Sequence, residues 1–160
     1  MNFQLQFLTT KEEMLAQLEV LQFLYPSLTA AQYDQELDLM LQHNYCQLAV
    51  YENAKCIAIS GFWIGNKLWI GKYLELDNIV VDPAYRSQGV GELIFQTLEQ
   101  KAKEEQCNML ALDSYTSNFK AHKFFYNQGF GPKGFHFIKL LNEKAVRWAL
   151  LWFTIFFELY

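Results

Sequence analysis

The chain is poor in the residues that staple a fold or give it an ionic partner. Only three of its 160 residues are cysteine, Cys46, Cys56 and Cys107, an odd number with neither metal-ligand nor redox spacing. A disulfide framework is therefore excluded, and thiols in a reducing, cytoplasmic compartment are expected. Histidines are also three, and His43 and His136 have no sequence partners for a metal site, so no metal is expected. The 13 basic residues are scattered and outnumbered by 17 acidic ones, giving a net charge of −4, which argues against a nucleic-acid partner. Residues 1–10 lack a basic stretch followed by a long apolar core, so no export signal is expected. No internal repeat and no linker is visible, and a chain of this length suits one domain with a core large enough to fold without staples.

What the chain does have is apolar and aromatic mass, 52% and 17% of its residues, which argues against disorder. Phe3, Leu5 and Phe7 alternate with polar neighbours as in a half-buried strand. Thr9 or Thr10 can cap a helical segment carrying Met14, Leu15, Leu18, Leu21 and Phe23, which Pro26 closes. Thr29 starts a second helix with Tyr33, Leu37, Met40 and Leu41 on one stripe. Residues 47–51 and 55–63 then read as a hairpin around residues 52–54, with a turn at Gly65 and Asn66. A strand over 73–81 is ended by Pro83, a helix runs over 89–106 with Ile94, Leu98 and Ala102 on one face, and a short buried strand covers 109–112. Strand, helix and strand in that order imply a right-handed crossover and a parallel pair. Ser117 or Asn118 caps a further helix that Gly129 stops, and residues 135–141 alternate as a last strand.

The stretch 82–91, between an apolar strand and a helix, invites an anion. A helix starting near Gly89 presents N–H groups without partners and the positive end of its macrodipole. Gly89 and Gly91 let backbone come close to a diphosphate, and Arg86 adds a charged fork. A tight strand-to-helix turn needs the same glycines, and the residues alone leave both readings open.

Two motifs in register extend this. The run Arg86, Ser87, Gln88, Gly89, Val90, Gly91 resembles the pyrophosphate loop of the GCN5-related N-acetyltransferases, and Asn118, Ala121, Gly129 and Phe130 match that family's second signature at the right spacing. The resemblance covers residues 74–130 in detail and 3–141 in coarse topology. It implies an α/β (α+β) fold with a mixed, mostly antiparallel sheet of about six or seven strands, a central parallel pair and about four flanking helices. It further implies acetyl-CoA as co-substrate and a small-molecule or peptide amine as acceptor. In such a protein the backbone of Ile79, Val80 and Val81 lines the pantetheine arm beside a bulge, and Asn118 and Phe125 face the cofactor from the other side.

Attack on a thioester needs a neutral amine, and an alkylamine with a reference pKa of about 10.4 is almost wholly protonated at neutral pH, so a base is useful. Glu75 and Asp77, two apart on a strand, share a side of the sheet. The family places its base carboxylate at one position in some members and at the other in others, and the motif does not choose. The resemblance also implies a tyrosine to protonate the departing thiolate. Phe125 stands at that position, with Tyr126 next to it and rotated by about 100°. Trp63, Trp69 and Tyr73 flank the segment where acceptor pockets form in the family. The departure at Phe125 keeps an alternative in view, a CoA-binding or regulatory module without chemistry.

Residues 1–142 form the acetyltransferase domain on this reading. The apolar end, 143–160, is shorter than the roughly 20 residues that span a bilayer and carries charges, so no membrane span is expected. It is expected to dock on the sheet or to bury itself on a second subunit, making a homodimer.

Overall fold

The computed structural model describes residues 2–141. The chain divides into two compact units, Met1–Phe130 and Gly131–Tyr160, and among the described residues every helix and strand belongs to the first. Strand β1 (Gln4–Leu8) leads into α1 (Lys11–Leu15), α2 (Leu18–Leu21) and α3 (Ala30–Met40). Strands β2 (Tyr45–Glu52), β3 (Lys55–Lys67) and β4 (Gly71–Val81) follow, then α4 (Val90–Glu104), β5 (Met109–Leu112) and α5 (Phe119–Asn127).

Local chemistry accounts for most boundaries. Thr10 and Thr29 each close a capping box, with Glu13 and Gln32 reaching back to the cap. The helical segment expected to run on to Phe23 is instead two short helices, because Gln17 leaves helical geometry at φ −101° and ψ 16°. The β2–β3 hairpin turns on Asn53 and Ala54, both left-handed at φ 48° and 67°, as a two-residue turn that matches strand twist requires. Gly65 and Asn66, expected as a turn, lie inside β3. Gly65 is a packing glycine, since a Cβ there would sit 2.9 Å from the Tyr73 ring, and the chain reverses only beyond Lys67.

The sheet order is β1-β2-β3-β4-β5, antiparallel except for the parallel β4–β5 pair. Among the described residues that is five strands where six or seven were expected, and the parallel pair lies at the edge of the described sheet rather than at its centre. Residues 135–141 carry neither helix nor strand. Alternation supplies only the period of a strand, and the strand itself needs a neighbour to take its hydrogen bonds. The extension 143–160 lies outside the described residues.

Each face of the sheet packs a core. On one, Leu48, Val50, Phe62, Leu74 and Leu76 meet Ile94, Phe95 and Leu98 of α4, with Phe124 and Phe125 of α5 against them. On the other, Ala49, Ile59 and Val80 meet Met14, Val20, Leu21, Tyr33 and Leu37 of α1–α3. The buried stripes on α3 and α4 are those the helical spacing predicts.

Strand β4 changes sides partway. Leu74 and Leu76 face α4, and strict alternation would send Val80 there too, yet Val80 joins the opposite core while Ile79 and Val81 pack toward α4. The register shows why: Gly61 pairs with Asp77 and Ile59 with Val80, so Ser60 stands opposite both Asn78 and Ile79. This is a β-bulge, and Asn78, left-handed at φ 49°, marks it.

Candidate active site

Two features of the fold converge at the bulge. The β4–β5 ladder ends at Leu76 and Leu112, whereas β4 stays paired with β3 as far as Val81. Residues 77–81 therefore have no ladder partner on the β5 side among the described residues. On the face toward α1–α3, the same point carries Asp77.

The Asp77 carboxylate is well furnished with donors. Asn78 gives its backbone N–H to Oδ1 at 2.9 Å and its Nδ2 to Oδ2 at 2.9 Å, and the Trp63 indole N–H reaches Oδ2 at 3.3 Å. Burial pushes this carboxyl above its ordinary value, the Trp63 and Asn78 donors pull it down, and the charge of Asp113 adds to the rise. Asp113 follows directly on Leu112, the register partner of Leu76, which brings it level with Asp77. Glu75 occupies the same face opposite Trp63 and Ala111, but no described residue donates a hydrogen bond to its carboxylate.

Aromatic hydroxyls surround the bulge. Tyr25, from the connection after α2, donates to Asn78 Oδ1, and Asn78 Nδ2 donates to Tyr45 Oη at 3.5 Å. Tyr45 lies across Gly61, where a methyl group would overlap its hydroxyl, and packs on Trp63 with ring centroids 4.8 Å apart. Behind it, buried Gln47 donates to both Tyr45 and Tyr33. Burial raises the Tyr45 phenol to about 12 and pushes Tyr25 up as well, so both stay protonated at physiological pH.

The loop before α4 is set by Asp82, which is buried. Its carboxylate accepts from Lys55 Nζ at 2.8 Å and from Ala84 N at 2.9 Å, while its backbone N–H bonds to Ile57 at 2.8 Å. The Lys55 ammonium and the Ala84 N–H hold this carboxyl below the usual range. Ser87 and Gly89 are left-handed at φ 59° and 83°. Gly89 caps α4 without a side-chain bond, and nothing lies within 4 Å of where its Cβ would be. Gly91 differs, since its Cβ would meet Phe124 Cζ at 3.0 Å, so this glycine lets α4 and α5 approach. Val90 is buried, and Gln88 Nε2 bonds to Ala84 O at 2.8 Å.

On α5, Asn118 caps the helix through Ala121 N at 3.2 Å. Phe125 packs against Phe95 and Phe130 at centroid distances of 5.9 and 6.4 Å, whereas Tyr126 is 57% exposed. The structure thus gathers Asp77 and Trp63 with Glu75 on one face, sets residues 86–91 at the head of α4, and leaves Tyr126 on the outer side of α5. Trp69 is 69% exposed beyond the end of β3, and Tyr73 carries Lys67 over its ring at 4.4 Å, so of the three aromatics only Trp63 reaches Asp77. Sequence reasoning missed Tyr25, Tyr45 and Asn78 as parts of this region, and it included Asp82 in the stretch 82–91 without its tie to Lys55. Asn78 alone left a trace, as a second polar residue interrupting the strand alternation beside Asp77.

Residues 12–130 match the family model described as the acetyltransferase (GNAT) family. A Bacillus subtilis protein provisionally named as a ribosomal protein bS18-alanine N-acetyltransferase is 26% identical over 117 residues, 72% of this chain and 74% of that one. Among solved structures, glucosamine-6-phosphate N-acetyltransferase from Arabidopsis thaliana superposes with a TM-score of 0.68 at 21% identity, over 89% of this chain and 100% of that one. The aminoglycoside N-acetyltransferase AAC(6')-Iy, solved with CoA, gives a TM-score of 0.75 at 15% identity, over 89% and 95%. The chain belongs to the acetyltransferase (GNAT) family, and with it to the acetyl-CoA-dependent acetyltransferases. Among the described residues no helix is long and apolar enough to cross a membrane, and no group of three or more His, Cys, Asp or Glu side chains could hold a metal ion.

Proposed function

We propose that the protein transfers acetyl from acetyl-CoA to a primary amine by direct attack within a ternary complex, with Asp77 as the base. The observation that carries this reading is the Asp77 carboxylate itself, partly buried at the bulge, beside the stretch of β4 that lacks a β5 partner. Burial raises its affinity for a proton toward what abstraction from an ammonium needs, and the three donors favour its charged form. Glu75, on the same face and one strand repeat away, is the second candidate and suits a relay to solvent.

The residues present fit acetyl-CoA. The uncapped head of α4, the open space at Gly89 and the Arg86 guanidinium suit a pyrophosphate, with Ser87 and Gln88 in the turn and Val90 and Gly91 seating the first turn of the helix behind it. The backbone of Ile79, Val80 and Val81 offers an unpaired edge to an extended pantetheine arm, and N–H groups there would stabilise a carbonyl oxygen as it gains charge. Asn118 and Phe125 are assigned to the other side of that arm. Acetyl-CoA supplies an activated acetyl thioester. Its departing thiolate is a good leaving group, and the exposure of Tyr126 favours solvent over that phenol as proton donor. The acceptor is a small-molecule or peptide amine, and its identity is a matter for assay because fold and donor site do not determine the acceptor pocket.

A panel of polyamines, aminoglycosides, amino acids and peptide amines, read by release of free thiol from acetyl-CoA, tests the proposal. Turnover with at least one primary amine is expected. Saturable CoA binding with no acetylation anywhere in the panel would leave a binding module and overturn it.

A further inference from the structure

Among the described residues Asn78 alone touches both oxygens of the Asp77 carboxylate, and it does so from a conformation that L-residues rarely adopt. At φ 49° its backbone N–H turns back onto Oδ1 of the preceding side chain while its amide lies along Oδ2. Asparagine tolerates the left-handed region better than most residues, so the bulge and the amide are available together at this position.

The orientation of that amide matters, since an oxygen turned toward a carboxylate repels it and a nitrogen binds it. Two neighbours from distant parts of the chain select the binding orientation. Tyr25, 53 residues away in sequence, donates its hydroxyl to Oδ1, and Tyr45, on β2, accepts from Nδ2. The Tyr25 phenol remains protonated because burial raises its pKa, so it serves as a fixed donor.

A carboxylate offers about four lone-pair sites. Among the described residues Oδ2 is met by Trp63 and by the Asn78 amide, and Oδ1 by the Asn78 backbone alone. One site on Oδ1 is left uncommitted. We propose that Asn78 is a positioning residue, locked by Tyr25, that fixes the Asp77 carboxylate in its ionised form and leaves Oδ1 as the oxygen that accepts the proton of the acceptor amine. The assignment of Oδ1 rests on Asp77 being the base, whereas the hold on the carboxylate does not.

Among the described residues the groups around Asp77 are Trp63 from β3, Tyr45 from β2, Tyr25 from the connection after α2, Glu75 on its own strand and Asp113 beyond β5. With two further carboxylates beside Asp77, a rate profile alone would not single it out. The Trp63 indole N–H bonds to Asp77 directly and reports its ionisation without substrate. The experiment is a pH titration of the indole resonances of 15N-labelled full-length protein, with Trp63 assigned by its loss in Trp63→Phe and the Asp77 step by its loss in Asp77→Asn.

Asn78→Gly retains the left-handed backbone and its N–H but removes the amide. Losing a hydrogen bond to the charged form raises the midpoint, by roughly one to two pH units for a charge-assisted bond. Tyr25→Phe, which leaves the bulge untouched, is expected to raise it by a smaller amount. Midpoints in both variants within about 0.3 unit of wild type, given the precision needed to see such a bond, would overturn the proposal. If Asn78→Gly fails to fold, Tyr25→Phe decides alone. The base assignment fails separately, through wild-type turnover of Asp77→Asn, and that result would remove the role of Oδ1 while leaving the titration to judge the hold on the carboxylate.

Discussion

The two glycines of the loop before α4 look alike in sequence and differ in what they do, which makes their alanine variants a sharp comparison. Gly89 is left-handed at φ 83° with open space around its missing Cβ. An alanine there meets no atom but must hold a conformation that costs an L-residue about 1–2 kcal/mol. For a protein of this size 1 kcal/mol moves Tm by about 2–4 °C, so Gly89→Ala should melt roughly 2–8 °C lower. Relaxation of that strain would also turn the first N–H groups of α4, so the rise in Tm that CoA produces should shrink. In wild type that rise is worth about 2.7 kcal/mol at a hundredfold excess over Kd. Gly91→Ala is a different perturbation: it lies within the helix and directs its Cβ at Phe124 Cζ, 3.0 Å away. The ring must yield by a few tenths of an ångström, and the gain in helix propensity, up to about 1 kcal/mol, offsets this. Its Tm should stay within about 3 °C of wild type by the same conversion, with the CoA-induced rise intact. Thermal melts with and without saturating CoA measure all four quantities. An unchanged CoA response in Gly89→Ala, or its loss in Gly91→Ala alone, would refute the division of labour.

The remaining predictions concern stability. Leu98 is fully buried between α4 and the sheet, so Leu98→Ala should cost about 2–5 kcal/mol in denaturant-unfolding free energy, and a loss below 1 kcal/mol would mean that this face of α4 is not the core. Glu105 accepts from Lys72 and Lys101, and those two partners lower its pKa from an ordinary 4.5 to about 2. A depressed carboxyl contributes stability above its unfolded pKa and loses it as pH falls through the folded one. Glu105→Gln should therefore flatten the fall in urea midpoint between about pH 4.5 and 2, and a curve parallel to wild type would show that the exposed cluster adds nothing.

The order of elements was legible because its signals are local. Thr10 and Thr29 cap helices through residues three positions on, Ile94, Leu98 and Ala102 repeat at helical spacing, and the crossover between β4 and β5 follows from their order. Gly65 misled because a glycine that makes room for a ring reads like one that makes a turn. The alternation over 135–141 misled because pairing, which decides whether a strand forms, is absent from the pattern. The loop at 86–91 was legible as a motif, but only the fold separates the conformational glycine from the packing one. The neighbourhood of Asp77 was the least legible part: Tyr25, Tyr45 and Trp63 reach it from three segments of the chain, and Asn78 acquires its geometry from a bulge that exists only once β3 and β4 are in register. The tie between the Lys55 ammonium and Asp82, 27 residues apart, was hidden for the same reason.

Steady-state thiol release by Asp77→Asn beside Glu75→Gln, with the fastest acceptor of the amine panel near pH 7.5, tests the account most directly. If Asp77 is the base, its variant loses about 10²–10⁴ in kcat/KM while Glu75→Gln stays within about tenfold of wild type. Retention of near-wild-type turnover by Asp77→Asn, above all with a large loss in Glu75→Gln, would contradict it.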